Sequence, residues 1–234
     1  VVILCGGMGT RMEHETEFRP KPLVPIGDKP ILWHIMKIYA HYGYRDFVLC
    51  LGYKGEMIKR YFHDYFCMNG SLSISLTDGT VEVHDAIKED WLVHLAETGL
   101  LTNTGGRLLK LRSWLDEKTF MLTYGDGVCN VNLQKLLQFH RENGRLVTVT
   151  AVRPPARFGS LEFTDGDLIT RFVEKPQTGG GWINGGFFVV EREALDYIEG
   201  DQPWESGPLR NIAAEGQLVA YRHDDFWQCM DTYR

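Results

Sequence analysis

No stretch of the 234 residues approaches the roughly 18 consecutive apolar positions that a membrane-spanning helix needs. A secretory leader is not expected in the first residues either, because Val1–Leu4 is too short for its apolar region. Positive charge is not in excess. Lysine and arginine number 25 against 31 acidic residues, a formal net charge of −6. Nucleic acid is therefore not an expected partner, since general affinity for it requires a basic face. Cysteine is sparse and scattered, with five residues (Cys5, Cys50, Cys67, Cys129 and Cys229) and no CxxC pair. A zinc site is disfavoured, and a reducing cytoplasm is the expected compartment. There is no repeat, low-complexity tract or proline-rich linker, so a single domain over residues 1–234 is expected.

What is present is an alternation of short apolar runs with segments of helical period. Val1–Cys5, 47–51 (FVLCL), 120–124 (FMLTY) and 146–152 (LVTVTAV) are strand candidates. Between them lie candidate helices at Pro30–Tyr42, Met57–Phe66 and Leu133–Glu142. Continuous apolar strands separated by helices predict an α/β fold: a Rossmann-like, mixed but mostly parallel central sheet covered on both faces. Shorter strands at Leu161–Phe163, Leu168–Val173, Ile183–Val190 and Leu218–Tyr221, with a helix near Glu193–Ile198, are expected to continue that sheet. Residues 67–106 fit the alternation least and are expected to be an insertion.

The first strand runs into GGMGTR (6–11). In an open parallel sheet, ligands bind beyond the carboxyl ends of the strands. Glycines there let backbone amides approach a ligand, and Arg11 adds a cation whose fork suits phosphate. The segment is neither of two familiar phosphate loops. A dinucleotide fingerprint counted from Gly7 would need glycine where Met12 stands, and no Gly-Lys-Ser/Thr follows. A tight turn without a ligand is the plainer alternative. Lys21, between Pro20 and Pro22, is expected on a stiff, extended segment.

The stretches GGMGTRM, RPKPLVPIGDKPIL, TYGDG and EKP, in this order along nearly the whole chain, resemble the sugar nucleotidyltransferases, the nucleoside-diphosphate-sugar pyrophosphorylases. TGGR (104–107), INGGFF (183–188) and FWQCMDT (226–232) resemble the glucose-1-phosphate cytidylyltransferase branch. One departure is Cys5, where alanine commonly precedes the glycines. Against this family the chain looks trimmed at both ends, and any closing C-terminal helix is missing.

The resemblance implies the nucleotide-diphospho-sugar transferase fold. The implied reaction joins CTP to α-D-glucose 1-phosphate, giving CDP-glucose and pyrophosphate. It implies Mg2+ as cofactor, held by Asp126 and Asp231. It places the nucleotide against Leu4, Gly6, Gly7, Met8, Gly9, Thr10, Thr102, Arg107 and Gly125. Arg11 and Lys21 then face the triphosphate and the attacking phosphate, with Asp126 completing the catalytic set. For the sugar phosphate substrate it implies Lys175 at the phosphate and Glu174 at the sugar hydroxyls, with Asn184 and Gly185 continuing the sugar pocket. Arg107 is the candidate for cytosine or for a nearby subunit. A homo-oligomer is implied, a hexamer among the options, with residues 67–106 as a subunit contact region, in supply of a bacterial surface polysaccharide. Plainer roles exist for several of these residues: Asp126 as a turn residue, Asp231 as a helix cap, Glu174 and Lys175 as a solvated pair. Use of dTTP or UTP, sugar transfer from a preformed nucleotide sugar, and a non-catalytic nucleotide-sugar binding module are the competing functions.

Overall fold

The computed structural model describes residues 1–9, 16–154, 160–163, 169–173 and 181–231. The first strand, β1, is Val2–Leu4. Helix α1, Ile31–His41, begins one residue after Pro30, which sits in extended conformation just outside it. Its buried stripe is Ile31, Leu32, Ile35, Met36, Tyr39 and Ala40, the three- and four-residue recurrence of an amphipathic helix. Met36 is fully buried, whereas Ile38 is only partly buried. Strand β2 is Asp46–Leu51. Helix α2, Gly55–His63, stops at Asp64, and a separate turn of helix covers Tyr65–Met68, so the single helix expected over 57–66 is broken.

Strands β3 (Ser71–Ile74) and β4 (Val81–His84) pair only with each other, as an antiparallel hairpin. Strand β5, Leu92–Glu97, rejoins the main sheet by pairing in parallel with β2. Of 67–106, therefore, the hairpin stands apart while β5 belongs to the sheet. Helix α3 is Thr104–Lys110. Strand β6, Thr119–Tyr124, leads after two residues into the short β7, Gly127–Cys129. Helix α4 is Leu133–Asn143, capped by the Asn132 side chain and ended by Gly144 in left-handed conformation. Next come β8 (Val147–Val152), β9 (Ser160–Phe163) and β10 (Ile169–Val173), then β11 (Ile183–Glu191). A 3₁₀ helix spans Arg192–Tyr197, followed by α5 (Pro208–Ala214), β12 (Leu218–His223) and β13 (Trp227–Cys229).

The central sheet has seven strands in the order β12-β8-β11-β6-β1-β2-β5. All neighbouring pairs are parallel except the two made by β11, which runs antiparallel to both β8 and β6. Alternate residues feed two cores. Val2, Leu4, Val48, Cys50, Leu122, Phe188 and Val190 face one side, with Leu108, Leu195, Trp204 and Ile212 above them. Ile3, Phe47, Leu49, Leu51, Met121, Phe187 and Val189 face the other, under Ile35, Met36, Ile58 and Leu136. Each fully buried apolar side chain is worth about 1.5–3 kcal/mol, so both faces must stay covered. Among the described residues no helix is long and apolar enough to cross a membrane.

Because β11 is reversed, its amino end reaches the same sheet edge as the carboxyl ends of β1 and β6. Phe187 pairs with Thr123, and Leu4 with Tyr124. Asn184 and Gly185, at the start of β11, thereby come to the edge where the glycine segment leaves β1.

Candidate active site

At that edge opens a cleft of about 700 Å³. It is lined by Leu4, Gly6, Gly7 and Gly9 from the first segment, by Lys21, by Thr102 and Arg107, by Gly125 and Asp126, by Asn184 and Gly185, and by Asp231. These expected site residues, far apart in the chain, share one cavity. Met8 is 49% exposed and is not among the lining residues. Thr10, Arg11, Glu174 and Lys175 lie outside the described residues.

Lys21 opens a single turn of 3₁₀ helix, Lys21–Leu23, rather than an extended segment. Pro20 is extended, and Pro22 fits the turn because its fixed φ suits an early helical position. The Lys21 ammonium donates to Asp126 Oδ2 at 2.6 Å and to Asp231 Oδ1 at 3.3 Å. Burial alone would lower this lysine. The charge and hydrogen bond of Asp126, with Cys229 and Asp231 adding, outweigh it and hold the group above its ordinary range.

The two aspartates meet because of a ribbon separate from the main sheet. β7 pairs antiparallel with β13, Gly127 opposite Cys229. Asp126 directly precedes β7, and Asp231 stands two residues beyond β13. The Met230 N–H donates to the Asp126 carbonyl at 2.8 Å, extending the ribbon to the carboxylates themselves. One oxygen from each aspartate and Cys229 Sγ lie within 4.8 Å of one another. Two hard carboxylate oxygens this close suit magnesium, whereas a thiol does not. Burial, then the charges of Asp126 and Asp231, push that thiol up to about 12.

Arg107 is held by main-chain and hydroxyl oxygens. It is only 3% exposed. Nη1 donates to Leu51 O at 2.8 Å, Thr98 Oγ1 at 2.6 Å and Gly99 O at 2.8 Å. Nη2 donates to Gly6 O at 3.0 Å and Leu100 O at 3.4 Å. A guanidinium has four N–H groups on these two nitrogens; here they are directed at protein oxygens rather than presented to a base. The guanidinium lies between two glycines. A Cβ on Gly6 would come within 2.2 Å of its Cζ, and one on Gly52 within 2.6 Å of Nη1. Gly6 is therefore needed for this packing as well as for any approach to a ligand. Burial lowers the pKa of Arg107 from its ordinary value.

Gly7 has open space where a side chain would stand, so its backbone faces the cleft unobstructed. Gly9 is left-handed, at φ +64°, a conformation glycine adopts without the cost that other residues bear. On the far wall, a Cβ on Gly185 would approach Val152 Cγ1 to 2.7 Å, and the Trp227 indole donates to the Gly185 carbonyl at 2.7 Å. Tyr124, Glu205 and Cys229 also line the cleft. Sequence reasoning passed over them. Tyr124 had a signal, standing at the end of an apolar run one position before the Gly-Asp-Gly. Glu205 had none.

The nucleotidyl transferase family model matches residues 1–227. A glucose-1-phosphate cytidylyltransferase of Salmonella typhimurium (strain LT2) is 45% identical over 235 residues, covering 100% of this chain and 91% of that protein. The mannose-1-phosphate guanylyltransferase catalytic subunit beta of Danio rerio is 30% identical, over 97% of this chain and 59% of its own length. The crystal structure of HddC from Yersinia pseudotuberculosis superposes with a TM-score of 0.63 at 21% identity, covering 99% of this chain and 93% of that one, a likeness of fold. By sequence along almost its whole length, the chain belongs to the nucleotidyl transferase family.

Proposed function

We propose that the chain transfers a cytidylyl group from CTP to α-D-glucose 1-phosphate, forming CDP-glucose and pyrophosphate. The observation that carries this is Lys21 bridging Asp126 and Asp231 at the mouth of the glycine-edged cleft. The choice of cytidine and glucose draws on the 45% identical cytidylyltransferase.

The nucleophile is a phosphate oxygen of the sugar, already an anion. It forms a bond to the α-phosphorus as the bond to the departing pyrophosphate oxygen breaks. No base and no covalent enzyme intermediate are required. Catalysis then consists of alignment and of balancing negative charge. Gly7 and its neighbours present backbone amides, and Lys21 supplies a fixed cation. Asp126 and Asp231 would hold Mg2+, which when bound neutralises charge on the phosphates. Arg11 at the triphosphate, Lys175 at the sugar phosphate and Glu174 at sugar hydroxyls keep the roles the resemblance implies, with Thr10 beside the nucleotide. Asn184 and Gly185 form the sugar side of the described cleft. Arg107 acts beneath the glycine segment.

We also infer a homo-oligomer whose contact is the β3–β4 hairpin. Leu72 stands opposite Val83 and Ile74 opposite Val81, giving one apolar face. Ile74 is 56% exposed and the nearby Leu76 96%. An isolated hairpin of two strands is marginal in water, and an apolar patch of this kind marks a binding surface.

Pyrophosphate release measured with CTP, UTP and dTTP, each with glucose 1-phosphate, tests the function. CTP is expected to support turnover at least tenfold better than the others. Turnover with UTP or dTTP and none with CTP would end the cytidine assignment.

A further inference from the structure

Glu205 takes no part in the reaction above, yet it stands in the cleft wall and uses both its oxygens. It follows Trp204, which is fully buried in the core on one side of the sheet. Oε1 accepts the Tyr124 hydroxyl at 2.5 Å, and Oε2 accepts the Thr104 hydroxyl at 2.8 Å. The Thr104 oxygen accepts in turn from the Trp204 N–H at 2.8 Å. One carboxylate thus ties the start of α3 to the end of β6. The contact is close along its length. A Cβ on Gly105 would approach Gln202 O to 2.6 Å, and one on Gly106 would approach Asp201 Oδ1 to 2.2 Å. Those glycines are what let the segment from Asp201 to Glu205 lie against α3.

A phenol has one proton to donate. Here it goes to Glu205, so the Tyr124 oxygen is left only to accept. Asn184 Nδ2 donates to it at 3.4 Å, while Asn184 Oδ1 is held by the Gly186 N–H at 2.8 Å. That second contact fixes which end of the amide meets the phenol. A phenol oxygen accepts twice, and one place remains for a ligand in the cleft that Tyr124 lines.

We propose that Glu205 is a positioning residue that fixes the Tyr124 hydroxyl as an acceptor for a hydroxyl group of the hexose ring. The proposal rests on the sugar 1-phosphate reading of this cleft. The hexose is favoured over the nucleotide ribose because Tyr124 is bonded to Asn184, at the start of β11.

The test is steady-state kinetics on the full chain. Tyr124→Phe is expected to raise KM for glucose 1-phosphate about tenfold, the loss of one hydrogen bond, with KM for CTP changed less than twofold. Glu205→Gln, whose amide can meet the phenol in either sense, is expected to raise the same KM about fivefold. The double variant should be no worse than Tyr124→Phe, since both remove one interaction. Against glucose 1-phosphates deoxygenated at one ring position at a time, the wild type should discriminate at one position that Tyr124→Phe no longer senses. Thermal melting confirms that each variant is folded. Equal rises in both KM values, a loss confined to CTP, or effects that multiply in the double variant would overturn the proposal while leaving the reaction in place. A wild-type chain that releases no pyrophosphate with any sugar 1-phosphate would instead remove the reading of the cleft, and this role with it.

Discussion

Arg107 shows how a charged side chain becomes part of a backbone. Its guanidinium joins the ends of β1, β2 and β5 by donating to Gly6 O, Leu51 O and the Thr98–Gly99 turn. Lysine cannot reproduce this, because an ammonium is a point donor while a guanidinium is a planar fork. Arg107→Lys is expected to destabilise the chain by about 3 kcal/mol, the loss of charge-assisted hydrogen bonds in a buried place. Urea denaturation measures this, and KM for CTP should rise with it as the glycine segment loses its support. An unchanged midpoint would mean that those carbonyls find other donors. The sequence marked Arg107 through the TGGR stretch but not its use, since a buried arginine satisfied by main-chain oxygens leaves no periodic signature. Gly7 and Gly9 were legible as loop glycines at a strand end, and both line the cleft.

Among the elements, the β7–β13 ribbon brings Asp126 and Asp231 together, and it was the least legible. Each strand has three residues, too few for alternation to register. Nothing in the spacing of Asp126 and Asp231 announces their meeting; only the resemblance paired them. Asp126→Asn and Asp231→Asn are each expected to lower kcat about a hundredfold or more, by analogy with the loss of one charge-stabilising group. Their melting temperatures should stay within a few degrees, because both side chains are partly exposed at the cleft. Full activity in both variants would favour a non-catalytic module. The longer elements, β2, β6, β8, α1 and α4, were all placed to within a few residues, since their buried faces extend over enough positions to show a period. Helix α2 was overextended because its apolar residues run on past Asp64, where the chain turns and starts a new helix.

At the scale of the molecule, the mixed sheet with helices on both faces was legible from the alternation of apolar runs. The independence of the β3–β4 hairpin was not, because its apolar residues have no interior to face within one chain. Ile74→Asp is expected to shift the chain to a smaller species in light scattering at micromolar concentration while leaving its far-ultraviolet circular dichroism unchanged. A particle mass unaffected by the substitution would exclude the hairpin as the contact. The single reversed strand has a further effect, on how the chain is made. While the polypeptide emerges from the ribosome, β5, β2, β1 and β6 can assemble into one half-sheet, yet β6 has no outer neighbour and β8 none on either side until residues 183–191 follow. From the end of β6 at Tyr124, and from the end of β8 at Val152, until Ile183 is made, the facing borders of these two strands stand open, a state prone to wrong pairing. Insertion of β11 closes both together and, in the same event, brings Asn184 to the cleft.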